Sequence, residues 1–210
     1  MDGRNDYEIC YYLLQSLENS IHMRKNRIPF YTYDEENKLF SVNGIPCQYD
    51  QNGRLTSFGN IHYSYNSEGK LTSVTLNGLE ISYTYDPQGN LLFKDSPQGR
   101  YLFLTDELNP TGYSQVIEEF TPQEVISYVY GLNLLAVIDS SGWHYLIHDP
   151  INGSVIAVFT EEGTLESKIH YYPYGEIEEG NLIQNYLFTG ERYDPETSLY
   201  YLRNRWYSPT

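Results

Sequence analysis

Four stretches of the sequence decide the fold: YDEENKL at residues 33–39, YDQNGRL at 49–55, YNSEGKL at 65–71 and YDPQGNL at 85–91. They align without gaps as Tyr, then Asp or Asn, two variable residues, Gly or Asn, one polar residue and Leu. Successive stretches start 16, 16 and 20 residues apart, and a near-constant period of this kind is typical of a repeat array.

Each repeat contains the residues of a strand–turn–strand unit. The Asp or Asn at the second position suits an Asx turn, and the Gly or Asn at the fifth position tolerates a positive φ. Apolar residues alternate before the turn, Leu follows it, and tight-turn signals join the units at Asn43-Gly44, Gly59-Asn60 and Asn77-Gly78. The repeats therefore predict consecutive antiparallel hairpins. The residues of the repeat motif are Tyr33, Asp34, Tyr49, Asp50, Gly53, Tyr65, Asn66, Gly69, Tyr85, Asp86 and Gly89.

The composition also favours an all-β fold. Among the 210 residues are 23 Tyr, 16 Gly and 10 Pro. Tyr suits a pleated, half-buried strand, whereas Gly and Pro are typical of turns. We predict an all-β chain built as an antiparallel hairpin meander.

The charge balance argues against nucleic acids and membranes as partners. With 13 Lys and Arg against 28 Asp and Glu, the formal net charge is −15, which repels phosphate backbones and anionic lipid surfaces. No apolar run approaches the ~20 residues of a membrane span, and the first residues lack the features of a signal peptide, so the localisation stays unknown. Cys10 and Cys47 form neither a disulfide framework nor a metal-binding spacing.

The C-terminal stretch YLFTGERYDPETSLYYLRNRWYSPT, residues 186–210, closely resembles the Rhs repeat-associated core. That core reads Tyr-x-Phe-Thr-Gly, then Tyr-Asp, then Thr-Gly-Leu-Tyr-Tyr-Leu-Arg-x-Arg-Tyr-Tyr-x-Pro. Together with the repeats, the resemblance covers roughly residues 30–210 and points to the Rhs or YD-repeat family, which includes Rhs toxins, components of insecticidal toxin complexes, and teneurins. The residues that carry the core motif are Gly190, Tyr193, Asp194, Leu199, Tyr200, Tyr201, Arg203 and Arg205.

The resemblance implies a partial spiral β-shell and a structural role. Family shells wind one long sheet around a hollow interior, and bacterial members enclose a toxin domain released by aspartates that follow the Arg-x-Arg segment. Because the sequence stops at Thr210, we expect neither that cleavage motif nor a toxin domain in it. We divide the chain into an N-terminal segment at residues 1–27, YD repeats at 28–100 and an incomplete core at 101–210. Family members are secreted or lie at the cell surface.

The sequence departs from the family pattern at three places. Ser198 stands where the family has Gly, which puts the tightness of that turn in question. Tyr172 occupies the Asp position of a degenerate repeat and removes an Asx cap. The segment 149–153 is one residue longer than the usual one, which suggests a bulge.

Candidate chemical sites have simpler structural explanations. His144 and His148 share a strand face beside Asp149, but a metal site needs a third converging ligand, so we expect structural imidazoles. The Glu pairs 118–119, 161–162 and 178–179 resemble the two carboxylates of a glycosidase, yet adjacent strand residues point to opposite faces. Alternation places Arg203 and Arg205 on one strand face near Glu191 and Asp194, where internal salt bridges are expected.

Our leading hypothesis is a non-catalytic shell segment with no catalytic residues, cofactor or metal. Its expected partners are the remainder of a YD-repeat shell, another copy of the chain, or a toxin domain encoded elsewhere. The alternative is an adhesion or glycan-binding module that uses a Tyr-rich β-surface, although cross-strand Tyr ladders also stabilise a sheet by themselves.

Overall fold

The structure, a computed structural model, describes residues 29–209. These residues form twenty β-strands and one 3₁₀ turn, and none of them lies in an α-helix, which confirms the all-β prediction. No helix in this part of the chain has the length and apolar character needed to cross a membrane. Cys10 and the N-terminal segment 1–27 lie outside the described residues.

The elements follow one another in chain order. They are β1 (Tyr31–Tyr33), β2 (Leu39–Val42), β3 (Ile45–Tyr49), β4 (Leu55–Phe58), β5 (Ile61–Tyr65), β6 (Leu71–Leu76), β7 (Leu79–Tyr85), β8 (Leu91–Ser96), β9 (Gly99–Asp106), β10 (Gln115–Phe120), β11 (Val125–Tyr130), β12 (Leu134–Asp139), β13 (Gly142–His148), β14 (Val155–Thr160), β15 (Leu165–Lys168), β16 (His170–Tyr171), β17 (Ile177–Glu179), the 3₁₀ turn (Phe188–Gly190), β18 (Arg192–Asp194), β19 (Leu199–Tyr201) and β20 (Trp206–Tyr207).

The described residues divide into two compact units, 29–47 and 48–209. In the described part of the first unit, β1 pairs antiparallel with β2, and β2 with the start of β3. The turn between β2 and β3 uses Asn43 and Gly44 at φ of 52° and 80°, as the Asn-Gly signal predicted. Cys47 is a buried free thiol in this unit.

The second unit is an open antiparallel meander in which β4 to β15 hydrogen-bond in sequence order. Register shifts recur just before the repeat tyrosines, between Ser64 and Tyr65 and between Thr84 and Tyr85. A β-bulge bends its strand and increases the local twist, so a bulge at the same place in each repeat gives successive hairpins the same bend. The expected boundary at residue 100 falls inside β9, and the division into repeats and core stays a prediction.

The turns have the chemistry that the repeat motif predicted. The Asp50 side chain accepts hydrogen bonds from the backbone N–H groups of Asn52 and Arg54, both at 2.9 Å, and Asn66 does the same in the next repeat. Gly89 has a φ of 88°, and Asn37, which replaces Gly in the first repeat, has a φ of 60°. These local contacts fix where each strand ends.

The repeat tyrosines have a second role that the sequence pattern did not reveal. The hydroxyl of Tyr65 donates to the backbone carbonyl of Leu55 at 2.8 Å, and Tyr85 donates to Leu71 at 2.7 Å. In both cases the first residue of one repeat bonds the last residue of the repeat before it. Tyr171, in the degenerate repeat, likewise donates to Val155 at 2.7 Å. The Tyr hydroxyl therefore joins consecutive repeats.

Two clusters of buried side chains lie on one face of the meander, which we call the inner face. The first cluster consists of Leu71, Val74, Ile81, Tyr83, Leu91, Phe103, Leu199 and Tyr201. The second consists of Tyr128, Leu134, Val137, Leu146, Val155, Val158, Ile169, Tyr186, Leu187 and Tyr200. Both clusters combine meander strands with β19, so residues 170–209, which we call the C-terminal segment, form a second layer against the inner face.

We expect Gly89→Val to lower the free energy of unfolding by about 1–3 kcal/mol, because a β-branched residue resists positive φ. An added Cβ would also lie 2.8 Å from the Lys70 side chain, whose ammonium donates to the Gly89 carbonyl. Gln88→Val in the same turn is the matched control and should have a much smaller effect. Urea unfolding measures both variants, and equal midpoints would contradict the role assigned to Gly89.

Candidate functional site

A buried ion pair joins the C-terminal segment to the middle of the meander. The Arg192 guanidinium donates two hydrogen bonds to the Glu119 carboxylate, both at 2.7 Å, and lies 4.5 Å from the ring centre of Phe103. The Tyr128 hydroxyl donates to the same carboxylate at 2.6 Å. Burial alone would lower the pKa of Arg192, but the charge of Glu119 outweighs it and raises that pKa well above its usual value. The guanidinium therefore stays charged and fixes β18 to β10.

A second buried ionic contact lies in the neighbouring cluster. The Lys94 ammonium is 2.7 Å from Asp194 and 2.5 Å from Glu196, so one meander cation binds two carboxylates of the C-terminal segment. The Tyr83 hydroxyl donates to the other oxygen of Asp194 at 2.8 Å. Burial and then the charge of Asp194 raise the pKa of Tyr83 well above its ordinary value, so Tyr83 remains a neutral donor.

Aromatic contacts complete the layer between the two ionic contacts. Trp206 lies with its ring centre 4.4 Å from Tyr83 and 5.0 Å from Tyr201. Its indole N–H donates to the Tyr85 hydroxyl at 3.0 Å, and burial raises the pKa of Tyr85 to about 12. The Tyr201 hydroxyl accepts from the backbone N–H of Leu91 at 3.1 Å. The C-terminal segment thus contacts the same Tyr and Leu positions that define the repeats.

The structure brings most of the core-motif residues into this layer. Leu199, Tyr200 and Tyr201 are buried in β19, and Tyr193 packs beside Tyr200 with ring centres 5.0 Å apart. Gly190 has a φ of 70° in the loop that leads to Arg192. Sequence reasoning missed Lys94 and Arg192 and considered Glu119 only as a member of a Glu pair, because the three residues lie in separate segments that no spacing rule connects.

The strand placement of Arg203 and Arg205 was wrong. Both residues lie in the turn between β19 and β20, and Arg203 has a φ of 61°. Arg203 does form a salt bridge to Glu191, at 2.7 Å, whereas the cation that binds Asp194 is Lys94. A period-2 pattern continues through a short turn, so it cannot distinguish a turn from the strands that flank it.

The departures from the family pattern leave the local turns intact. Ser198 adopts a φ of 58° and its N–H donates to the Asp194 carbonyl at 2.8 Å, so the turn expected for Gly forms with Ser. At Tyr172 the turn closes through backbone bonds to Gly175 and Glu176. A register shift lies between Ile147 and His148, just before the lengthened segment 149–153.

His144 and His148 lie on one strand face, as the alternation predicted, and that face is the inner one, but they bind different groups. Nδ1 of His144 lies 2.6 Å from Glu166, and its Nε2 lies 3.1 Å from Asp139 and 2.9 Å from the Ser141 hydroxyl. The two nitrogens of His148 face the carbonyls of Gly153 and Leu134. In the part of the chain that the structure describes, no three His, Cys, Asp or Glu side chains converge on a metal position.

The Ser141–His144–Glu166 contacts have the connectivity of a catalytic triad but a different electrostatic balance. Burial lowers the pKa of His144, whereas the hydrogen bonds and charges of Glu166 and Asp139 raise it, and the net shift is upward. The same Nε2 lies 3.1 Å from Asp139, so a carboxylate competes with Ser141 for this nitrogen. The Ser141 hydroxyl is also 2.6 Å from Asp139, a competing acceptor. These contacts therefore link the β12–β13 turn to Glu166 in β15 through the His144 ring.

A cavity of about 210 Å³ lies between the inner face and the C-terminal segment. Its charged lining groups are engaged: Arg203 binds Glu191, Arg192 binds Glu119, and Arg203 also lies 5.3 Å from the ring centre of Tyr113. Among the described residues no fully buried side-chain nitrogen or oxygen lacks a hydrogen-bond partner. Of the three Glu pairs, only Glu119 is buried, and Arg192 occupies both of its oxygens.

Comparison with known proteins agrees with this architecture. The family model described as Teneurin YD-shell matches residues 5–210. The tRNA3(Ser)-specific nuclease WapA of Bacillus spizizenii is 32% identical over 136 residues, and Teneurin-1 of Gallus gallus is 31% identical over 139 residues. These matches cover 61% and 63% of this chain but only 6% and 5% of the relatives, so the chain spans a small part of their length.

Two solved structures share the fold. The Tc holotoxin pore of Photorhabdus luminescens aligns with a TM-score of 0.63 at 18% identity, covering 86% of this chain and 11% of that one. The TcdB2–TccC3–Cdc42 structure aligns with a TM-score of 0.64 at 20% identity, covering 88% of this chain and 10% of that one. At these identities the likeness concerns the fold alone.

We expect Arg192→Met to lower the free energy of unfolding by about 3–5 kcal/mol, because it leaves the buried Glu119 carboxylate without its cation. Arg203→Met is the matched control: its side chain is 40% exposed, and loss of its ion pair should cost less than about 1 kcal/mol. Adding Glu119→Leu to Arg192→Met should recover most of the loss. Urea unfolding measures the variants. Equal destabilisation by the two single Arg variants would contradict the role of Arg192 in fixing β18 to β10.

His144 should make stability depend on pH. Because its folded-state pKa is raised, the stabilisation is fully present below the unfolded pKa of about 6.5 and is lost as the pH rises through the folded value. His144→Gln should therefore destabilise the protein more at pH below 6.5 than in alkaline solution. Urea midpoints across pH measure this, with the exposed His62→Gln as control; a pH-independent difference for His144→Gln would refute it.

Proposed function

Because this chain belongs to the teneurin YD-shell family, we propose that it is a wall segment of a YD-shell and performs no catalysis itself. The observation that carries the proposal is the attachment of the C-terminal segment to the inner face through Glu119–Arg192 and Lys94–Asp194. This attachment uses the charged groups of the interior to hold two layers together. Both carboxylate oxygens of Glu119 already accept hydrogen bonds from Arg192, which favours a structural role for this pair.

The wall would act together with further strands. A repeat unit cannot bury its apolar face alone, and repeat arrays need neighbours or capping units at their ends. Among the described strands, β1 and β15 each have a single strand neighbour, and the end of a sheet is where a further strand can pair. We infer that the partners are further shell strands or a second copy of the chain.

The Tc-toxin structures support a further proposal, that the complete shell encloses and delivers a toxin.

The glycan-binding alternative has less support from the positions of the tyrosines. Tyr63, Tyr65 and Tyr85 pack against the first inner cluster, and Tyr128, Tyr186 and Tyr200 are buried in the second. A carbohydrate would need these ring faces in solvent. The arrangement favours the explanation that the Tyr ladder stabilises the sheet, and glycan binding stays an untested prediction.

The isolated chain should self-associate, and added salt should strengthen the association. Open strand edges pair with other chains, whereas a net charge of −15 on each copy opposes contact until salt screens it. Light scattering at low and high salt is the measurement. A compact monomer at both salt concentrations would show that the chain satisfies its own edges, and the wall-segment proposal would fail.

A further inference from the structure

The outer face of the second unit, opposite the inner face, changes character along the meander. Strand pairing places one residue from each of β5 to β9 in a single outer row, and all five residues are polar: Ser64, Ser73, Ser82, Asp95 and Arg100. The corresponding row across β11 to β15 is entirely apolar: Val129, Ala136, Tyr145, Phe159 and Leu165. These two rows thus differ in polarity, and the apolar character begins in another outer row across β8 to β11, at Phe93, Leu102, Phe120 and Val125.

The apolar row belongs to a continuous patch. Ile138 and Trp143 pair in the adjacent row, and Ile147 follows on the same side of β13. We call the set of Val129, Ala136, Ile138, Trp143, Tyr145, Ile147, Phe159 and Leu165 the apolar outer surface. Ala136 is only 1% exposed, so the larger side chains form the solvent-accessible part of this set. Isolated exposed apolar residues are ordinary on a protein, but a contiguous group of them marks an interaction site.

Four side chains of the apolar outer surface are open to solvent, and two of them are stacked on each other. Trp143, Tyr145, Ile147 and Leu165 are 37%, 40%, 47% and 52% exposed. The rings of Trp143 and Tyr145 are stacked, with centres 5.8 Å apart and an angle of 17° between their planes. Trp and Tyr dominate the binding energy of many interfaces, and side chains already packed on a rigid strand lose little entropy on binding.

Charge identifies the kind of partner. Between Gln115 and His170 the sequence contains eight Asp and Glu but only one Lys or Arg, Lys168. Glu118 lies on the outer face itself, and Glu124, Glu161 and Glu162 lie at the turns on one rim of these strands. A second copy that docked on this surface would bring its own acidic rim against it and be repelled, unlike a copy that pairs at a strand edge. A cationic partner would be attracted here.

We propose that the apolar outer surface is a docking site for a cationic protein partner, one whose apolar or aromatic contact residues are flanked by Lys or Arg. The apolar centre supplies affinity by burial, and the acidic rim selects the partner and speeds its encounter. The site is independent of the inner face, because strand alternation directs the two sets of side chains to opposite sides.

A labelled peptide of alternating Lys and Leu is the probe, and the same peptide with Glu in place of Lys is its charge control. Fluorescence anisotropy with the full chain should show binding of the Lys peptide, weakened by salt, and none of the Glu peptide. The double variant Trp143→Ser with Tyr145→Ser should bind the Lys peptide at least about tenfold more weakly. Leu108→Ser with Ile151→Ser, which removes two exposed apolar side chains from loops, should stay within about twofold.

Several results would overturn the proposal. If the two double variants bound the Lys peptide equally well, the binding would be non-specific electrostatic attraction to an acidic protein and would not involve the apolar outer surface. Tight binding of the Glu peptide would remove the charge argument. A dimer of the unmodified chain that Trp143→Ser with Tyr145→Ser converts to a monomer would make the occupant a second copy, and glycan binding lost in that variant would make it a carbohydrate. Unchanged circular dichroism and urea midpoints verify that the variants fold.

Discussion

Arg192 and Glu119 meet in the interior between two layers of the protein, and the rest of the architecture depends on that contact. A single antiparallel sheet has an apolar inner face that must be covered, and the C-terminal segment supplies the cover. Apolar packing alone would allow this segment to slide, because Tyr and Leu repeat along the face at regular intervals. The paired guanidinium and carboxylate, together with Lys94 and Asp194, allow one register only. Buried ion pairs contribute little net stability, so fixing the register is the role that best accounts for them here.

The register between consecutive repeats must also be fixed, and here uncharged groups, the backbone and the Tyr hydroxyls, fix it. Each Asx turn fixes the end of its own hairpin, and the Tyr hydroxyl then bonds the backbone of the preceding repeat, as between Tyr85 and Leu71. The packed ring holds the hydroxyl in one position, so a register slip of one residue would break this hydrogen bond. The same slip would move the ring to the other face of the sheet. At Leu91 the bonded hydroxyl comes from Tyr201 of the C-terminal segment. The C-terminal segment thus contacts the last Leu of a repeat through a Tyr hydroxyl, as the repeats themselves do. Here the hydroxyl accepts from the Leu N–H, whereas between repeats it donates to the Leu carbonyl.

Sequence analysis predicted interactions between residues that are close in the chain and did not predict those between distant residues. The turns at Asp50, Asn66 and Asp86 were predictable because the donor, the acceptor and the positive-φ residue lie within a few positions of one another. The partners of Arg192 and Lys94 were not, since residues 73 and 100 positions away supply them. The error at Arg203 had a different cause: a residue other than Gly adopts positive φ there, and periodicity carries no signal for that. Likewise, the alternation placed His144 and His148 on one face but gave no indication of Glu166 on another strand.

Strand alternation also separates what the fold needs from what a partner needs. The inner face carries the Tyr and Leu positions, the buried ions and the Tyr hydroxyl bonds, so a substitution there alters packing, register or both. Outer side chains face away from these contacts, and Ser82 and Tyr145 occupy equivalent outer positions in hairpins of the same construction. The sheet therefore tolerates serine on one part of its outer face and aromatic residues on another without a change of topology. Since folding does not require Trp143 and Tyr145 to be apolar and exposed, a contact outside the fold gives the more direct physical reason for them.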